Sequence, residues 1–216
     1  MLNWSVPPSL LEAYIPKGTE LDFHQGQTYI SIVGFLFRDT RLLGIPIPFH
    51  RTFEEINLRF YIRRADRRAV SFIREIVPRQ AIATVARLMY NEPYVALPMR
   101  HRIGATEAAY AWKHSGQWIE LSVKGEGQPA SLIPGSHEEF IAEHYWGYCP
   151  QRDGGTIEYK VQHPPWRIWQ SKETKLSPEA ASFYPPAFAE ILNRTPDSAF
   201  LADGSPVTVS HPSRIS

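Results

Sequence analysis

Cysteine is nearly absent. Cys149 stands alone among 216 residues, so no internal disulfide can form. A lone thiol suits a reducing compartment, and the expectation is a cytoplasmic protein. No apolar run reaches the roughly 20 residues that a membrane helix needs. The opening Met1-Leu-Asn-Trp-Ser5 has no basic region leading into an apolar one, so neither a signal peptide nor an anchor is expected. A charge excess of either sign is missing too. The chain has 23 Lys and Arg against 22 Asp and Glu, a net charge of +1 and a pI near 7.9. That balance gives no electrostatic reason to bind nucleic acid or an anionic membrane. The eight histidines include no HExxH and no close Cys/His spacing, so no metal is expected. GxSxG, a glycine-rich phosphate loop and a dinucleotide fingerprint are all absent, and no cofactor is expected.

What the sequence does contain is a file of polar residues at every second position, Glu55-x-Asn57-x-Arg59-x-Tyr61, with Ile56, Leu58, Phe60 and Ile62 between them. Side chains alternate along a strand, so this segment predicts one strand with an apolar and a polar face. The apolar face must pack on a core. The polar face either meets solvent or lines a cavity. A solvent-facing strand usually carries Lys, Glu, Thr and Ser, not an acid, an amide, a guanidinium and a phenol together.

Strand signals dominate the rest of the chain. Residues 28–37 form an apolar and β-branched run suited to burial on both faces. The piece Gly44-Ile-Pro-Ile-Pro48 reads as a connection. The polar strand spans about 54–63, Arg64 to Arg68 is a turn, and 69–77 returns as its hairpin partner. Residues 79–90 predict an amphipathic helix with Ile82, Val85, Ala86 and Met89 on its packed stripe. Further strands are expected at 94–103, 106–114, 117–124 and 155–163. Ser136-x-x-Glu139 is a capping box opening a second helix at about 137–144. Residues 1–204 read as a single domain and 205–216 as a flexible tail. Hairpins with two helices predict a β-rich α+β fold.

Several spaced motifs carry a resemblance. Trp4-x-Val6-Pro-x-x-Leu10 leads into Ile15-Pro16-x-Gly18-x-Glu20-Leu21-Asp22, then Gly26 and Tyr29-Ile30. Next come Phe53-x-Glu55-x-Asn57-x-Arg59-x-Tyr61-Ile62, Ala86-Arg87-x-x-Tyr90-x-x-Pro93-Tyr94 with Met99, and His163-Pro164-Pro165-Trp166. The set resembles the uncharacterised YqjF-like family of the acetoacetate decarboxylase-like superfamily. The resemblance implies an antiparallel, cone-shaped β-barrel with flanking helices, and a polar file turned into its cavity. It also implies that Glu55 stands where the decarboxylases carry an active-site glutamate. Those enzymes have Pro-Lys-Lys after the helix, and the first lysine forms an imine with the keto acid. This chain has Pro93-Tyr94-Val95 there. A phenol forms no imine, so acetoacetate decarboxylase activity is not expected.

The functional reading is then a barrel that binds a small organic acid or hydrophobic metabolite, with Glu55, Asn57, Arg59, Tyr61 and Tyr94 as ligand-binding residues. Arg59 would anchor an acidic group. The alternative is an enzyme of unassigned reaction, with Glu55 as general acid or base and Arg59 as its electrostatic partner. A scaffold recruiting another protein is a third reading. The partners expected are a small molecule, with no nucleic acid and no membrane, and a homo-oligomer stays open.

Overall fold

The computed structural model of the protein describes residues 1–42, 45–46 and 52–215. Among these residues, one sheet of sixteen strands carries nearly the whole architecture. Its longer strands are β1 (Leu2–Val6), β2 (Thr28–Phe37), β3 (Phe53–Arg64), β4 (Arg67–Val77), β5 (Tyr94–Ala96), β6 (Met99–Ile103), β7 (Glu107–His114), β8 (Gln117–Gly125), β9 (Trp146–Pro150), β10 (Thr156–Gln162), β11 (Arg167–Leu176) and β12 (Ser198–Ala202). Helix α1 (Gln80–Tyr90) joins β4 to β5, and α2 (His137–Ala142) precedes β9. The spatial order is β10-β9-β4-β3-β2-β1-β12-β11-β8-β7-β6, with β5 also on β4. The strand-rich α+β reading holds. The expectation of a wholly antiparallel sheet does not, because β4 pairs in parallel with β9 and with β5. A helix rather than a tight turn connects β4 to β5, and that connection permits parallel pairing.

The core follows from strand alternation. Ile56, Leu58, Phe60 and Ile62 are fully buried, together with Leu2, Trp4, Ile30 and Ile32 on the neighbouring strands. They meet Tyr110, Trp112, Ile119 and Leu121 of β7 and β8, so the sheet curls until these strands cover β2 and β3. Gly34 makes that approach possible. A methyl group there would lie 2.7 Å from Tyr110 Cδ2 and 3.1 Å from Leu121 Cδ2.

One local expectation changes. In α1, Ala83 is buried and Ile82 half-buried, but Val85 is 43% exposed and Leu88 81% exposed. The helix touches the sheet along a narrower stripe than its apolar content suggests. Within the proline-rich connection, Ile45–Pro46 pairs with Arg41–Leu42. Gly44, Ile47 and Pro48 lie outside the described residues. The tail runs along β10, pairing through Thr208–Val209 and Ser213–Arg214, while Ile215 packs on the core. The second helix starts as predicted: Glu139 N–H donates to Ser136 Oγ at 3.1 Å. The Glu139 carboxylate accepts from Gly135 N–H at 2.8 Å.

Gly34→Ala should cost about 1–3 kcal/mol by forcing β2 away from Tyr110. Urea denaturation measures it, and an unchanged midpoint would contradict the close approach.

Candidate functional site

The bulge in the β3–β4 ladder organises the polar file. Arg64 faces Arg67 across the hairpin, and the register holds from there to Arg59 opposite Phe72. It then slips by one, so that Leu58 faces Arg74 and Asn57 faces Glu75. An extra residue in one strand switches which side chains share a face. Glu75 therefore joins Asn57 and Glu55 on the polar face, and Arg74 turns to the other. There its Nη1 donates to the Phe183 carbonyl at 2.6 Å.

Two further elements bring groups to the same place. Helix α1 ends at Asn91 in the left-handed conformation, φ 57°, which a short polar side chain tolerates. This reversal lays Glu92-Pro93-Tyr94 along β4, where Glu75 N–H donates to the Pro93 carbonyl at 3.2 Å and Tyr94 pairs with Glu75. On the far side, Tyr159 of β10 lies over Gly147 of β9, a position with no room for a methyl group. Its hydroxyl donates to Glu92.

The result is three buried carboxyl groups, Glu55, Glu75 and Glu92, with exposures of 3%, 1% and 6%. Tyr94 Oη donates to Glu55 Oε2 at 3.0 Å and Asn57 Nδ2 to Glu55 Oε1 at 3.3 Å. Among the described residues, no ion pair involves any of the three acids. Burial pushes Glu55 up to about 7, against the bonds from Asn57 and Tyr94. Glu92 rises to about 8, through burial and the nearby Glu55, with its bond to Tyr159 opposing. Glu75 rises well above the ordinary carboxyl range through burial and its two acidic neighbours. Burial raises Tyr94 and Tyr159 well above 10, with all three carboxylates adding to it for Tyr94 and Glu92 and Glu75 for Tyr159.

Of the five residues expected from the sequence, the structure brings together Glu55, Asn57 and Tyr94. Arg59 and Tyr61 lie beyond the bulge, under α2. Arg59 Nη2 donates to the Ile141 carbonyl at 2.9 Å. Tyr61 Oη meets Ser31 Oγ at 2.6 Å, which in turn bonds Asn3 at 2.7 Å. Sequence reasoning misses Glu75 and Glu92. An unbroken hairpin register puts Glu75 on the apolar face, and nothing in the pattern marks the slip. Glu92 sits in plain view before Pro93, but no local signal joins it to Glu55. A cavity of about 480 Å³ opens at the same end of β3, lined by Phe53, Glu54, Arg79, Met99 and His101 among others. Phe53, two positions before Glu55, also packs with Val77 and Tyr94.

A model of the family DUF2071, described as an uncharacterized conserved protein, matches residues 1–206. The chain belongs to this family. It is 26% identical over 179 residues to the uncharacterized protein YqjF of Bacillus subtilis, covering 81% of this chain and 73% of that one. The structure is similar to acetoacetate decarboxylase from Legionella pneumophila at a TM-score of 0.66, with 12% identity over 100% of this chain and 83% of that one. It is also similar to an acetoacetate decarboxylase-like enzyme from Sphingomonas wittichii at 0.60, with 13% identity over 99% and 89%. At these identities the likeness establishes the acetoacetate decarboxylase-like fold. Among the described residues, no helix is long and apolar enough to cross a membrane.

The raised carboxyls fix the sign of one pH dependence. Between the unfolded value near 4.5 and the folded values of about 7 and 8, the folded state holds protons that the unfolded chain has lost. Stability should therefore fall as pH rises through this window. Each tenfold difference in proton affinity between the folded and unfolded states weighs about 1.4 kcal/mol. Glu92→Gln and Glu75→Gln should flatten that fall in denaturant titrations at pH 5 and pH 8.5. A wild-type slope retained in both variants would contradict the assignment.

Proposed function

We propose that the chain binds a small, partly apolar organic molecule at the Glu55–Tyr94 cluster, without covalent attachment through a lysine. The observation that carries this reading is the gathering in one buried place of two phenols and three carboxyl groups that have no ion-pair partner among the described residues. Groups so far from their ordinary protonation are uncommon outside functional sites. The cavity lined by Phe53 and Glu54 lies at the same end of β3, and Phe53, which packs with Tyr94, stands between it and the cluster. Tyr94-Val95 in place of two lysines argues against imine chemistry. Arg59, expected to anchor an acidic group, stands apart from this cluster: its Nη2 donates to the Ile141 carbonyl, and its Nε is buried without a partner.

A thermal-shift screen of fragments with at most about ten heavy atoms tests the reading. Hits at this site should lose their effect in Tyr94→Phe and Glu55→Gln and keep it in the exposed Glu173→Gln. A hit list indifferent to the first two variants would overturn the reading. Pyruvate with borohydride should leave every lysine at its original mass, and a trapped adduct would contradict the absence of imine chemistry.

A second reading has a specific observation behind it. Glu55, held by Asn57 and Tyr94 and titrating near 7, is placed to exchange a proton at neutral pH. It would then be the general acid or base of an unassigned reaction.

A further inference from the structure

With Glu75 ionised, the cluster's unfilled hydrogen-bonding positions all have one polarity. Asn57 gives its amide N–H to Glu55, and its Oδ1 is buried without a partner. Glu75 Oε2 is likewise buried and unpartnered. Asn57 is 2% exposed and Glu75 1%, and the two stand opposite each other in the β3–β4 ladder. Asn57 Oδ1 accepts in every state and Glu75 Oε2 accepts once Glu75 has lost its proton, so the group that completes the ionised pair must donate. A buried acceptor left unpaired costs about 1–3 kcal/mol, so donors there are favoured.

Charge points the same way. Glu55 on β3, Glu75 on β4 and Glu92 after α1 face one another with Tyr94 on β5, Tyr159 on β10, Cys149 on β9 and Tyr90 on α1 around them. All these groups are neutral or negative in every protonation state. The nearest cations along the strands are turned away, Arg59 to the Ile141 carbonyl and Arg74 to the Phe183 carbonyl. Among the described residues, no three of the acids, thiols and imidazoles are set to hold a metal ion. A nitrogen cation bearing several N–H donors meets both requirements, and Tyr94 and Tyr159 offer it phenol rings.

We infer that the ligand's polar head is a small organic cation, a primary ammonium or guanidinium group, received between Glu75, Asn57 and Glu55. The inference rests on the proposal that this cluster is the ligand site. On binding, the cation displaces the protons held by the carboxyls, so those protons are released to solvent. Affinity for an amine must then rise with pH through the range in which the acids ionise, whereas affinity for an acid would fall.

The experiment compares n-butylammonium, butyrate and butyramide, which share a carbon chain, by calorimetry and thermal shift at pH 6 and pH 8.5. The expected result is butylammonium binding at least tenfold tighter at pH 8.5. It should come with proton release seen across buffers of different ionisation enthalpy, loss in Glu75→Gln and retention in Glu173→Gln. Butyrate bound in preference, with dependence on Tyr94 and Glu55, would overturn the cation while sparing the site. No binding by any of the three would overturn the inference for heads on a short chain. Site-dependent hits in the fragment screen would then show that the site itself stands. Binding indifferent to all of the variants at Glu55, Glu75 and Tyr94 would overturn both.

Discussion

The desolvation of three carboxyl groups is the constraint on which this structure turns. An ionised carboxylate taken out of water without a counter-charge is too costly to keep, and the usual response is to stay protonated. Glu55, Glu75 and Glu92 follow that rule, each held above its ordinary range. Tyr94 and Tyr159 donate to two of them and lessen the cost without removing it. A purely structural site would more simply carry an arginine or no acid at all. The uncompensated arrangement is the observation on which the proposed ligand site rests.

The backbone enforces that arrangement through features that have little to do with general strand formation. A one-residue slip in the β3–β4 ladder puts Glu75 on the polar face with Asn57 and Arg74 on the apolar face with Leu58. A left-handed Asn91 brings Glu92 and Tyr94 back against β4. The parallel partners of β4 then fix Tyr94 beside Glu75 at one end and Gly147 beside Val70 at the other. Beyond the slip, the same strand face does ordinary structural duty. Tyr61 packs on the Phe140 and His144 rings at 5.2 and 4.8 Å, and its hydroxyl enters a bonded chain through Ser31 to Asn3.

Much of the fold is legible in the sequence because burial imposes simple periods. The alternation at 55–62 places the central strand, and the segments at 67–77, 107–114 and 117–125 fall close to their predicted positions. The YqjF-like resemblance carries the architecture further than the patterns can. The site is legible in part. Alternation and the resemblance together find Glu55, Asn57 and Tyr94. Alternation alone also nominates Arg59 and Tyr61, because a period of two does not show where a helix will cover a strand. Glu75 is hidden by the bulge, since register is a property of two strands and the slip is written in neither. The exposed Val85 shows the same limit in α1: apolar spacing names a stripe but not how much of it finds a surface to cover.

The central claim is that these acids keep their protons into the neutral range. Carbon-13 NMR of glutamate-labelled protein follows each side-chain carboxyl directly as pH is raised, with Glu55→Gln, Glu75→Gln and Glu92→Gln assigning the signals. The Glu55 and Glu92 resonances should titrate near 7 and 8, with Glu75 still protonated well above the ordinary carboxyl range. Glutamates that all titrate together near about 4.3, the unperturbed value, would contradict the claim.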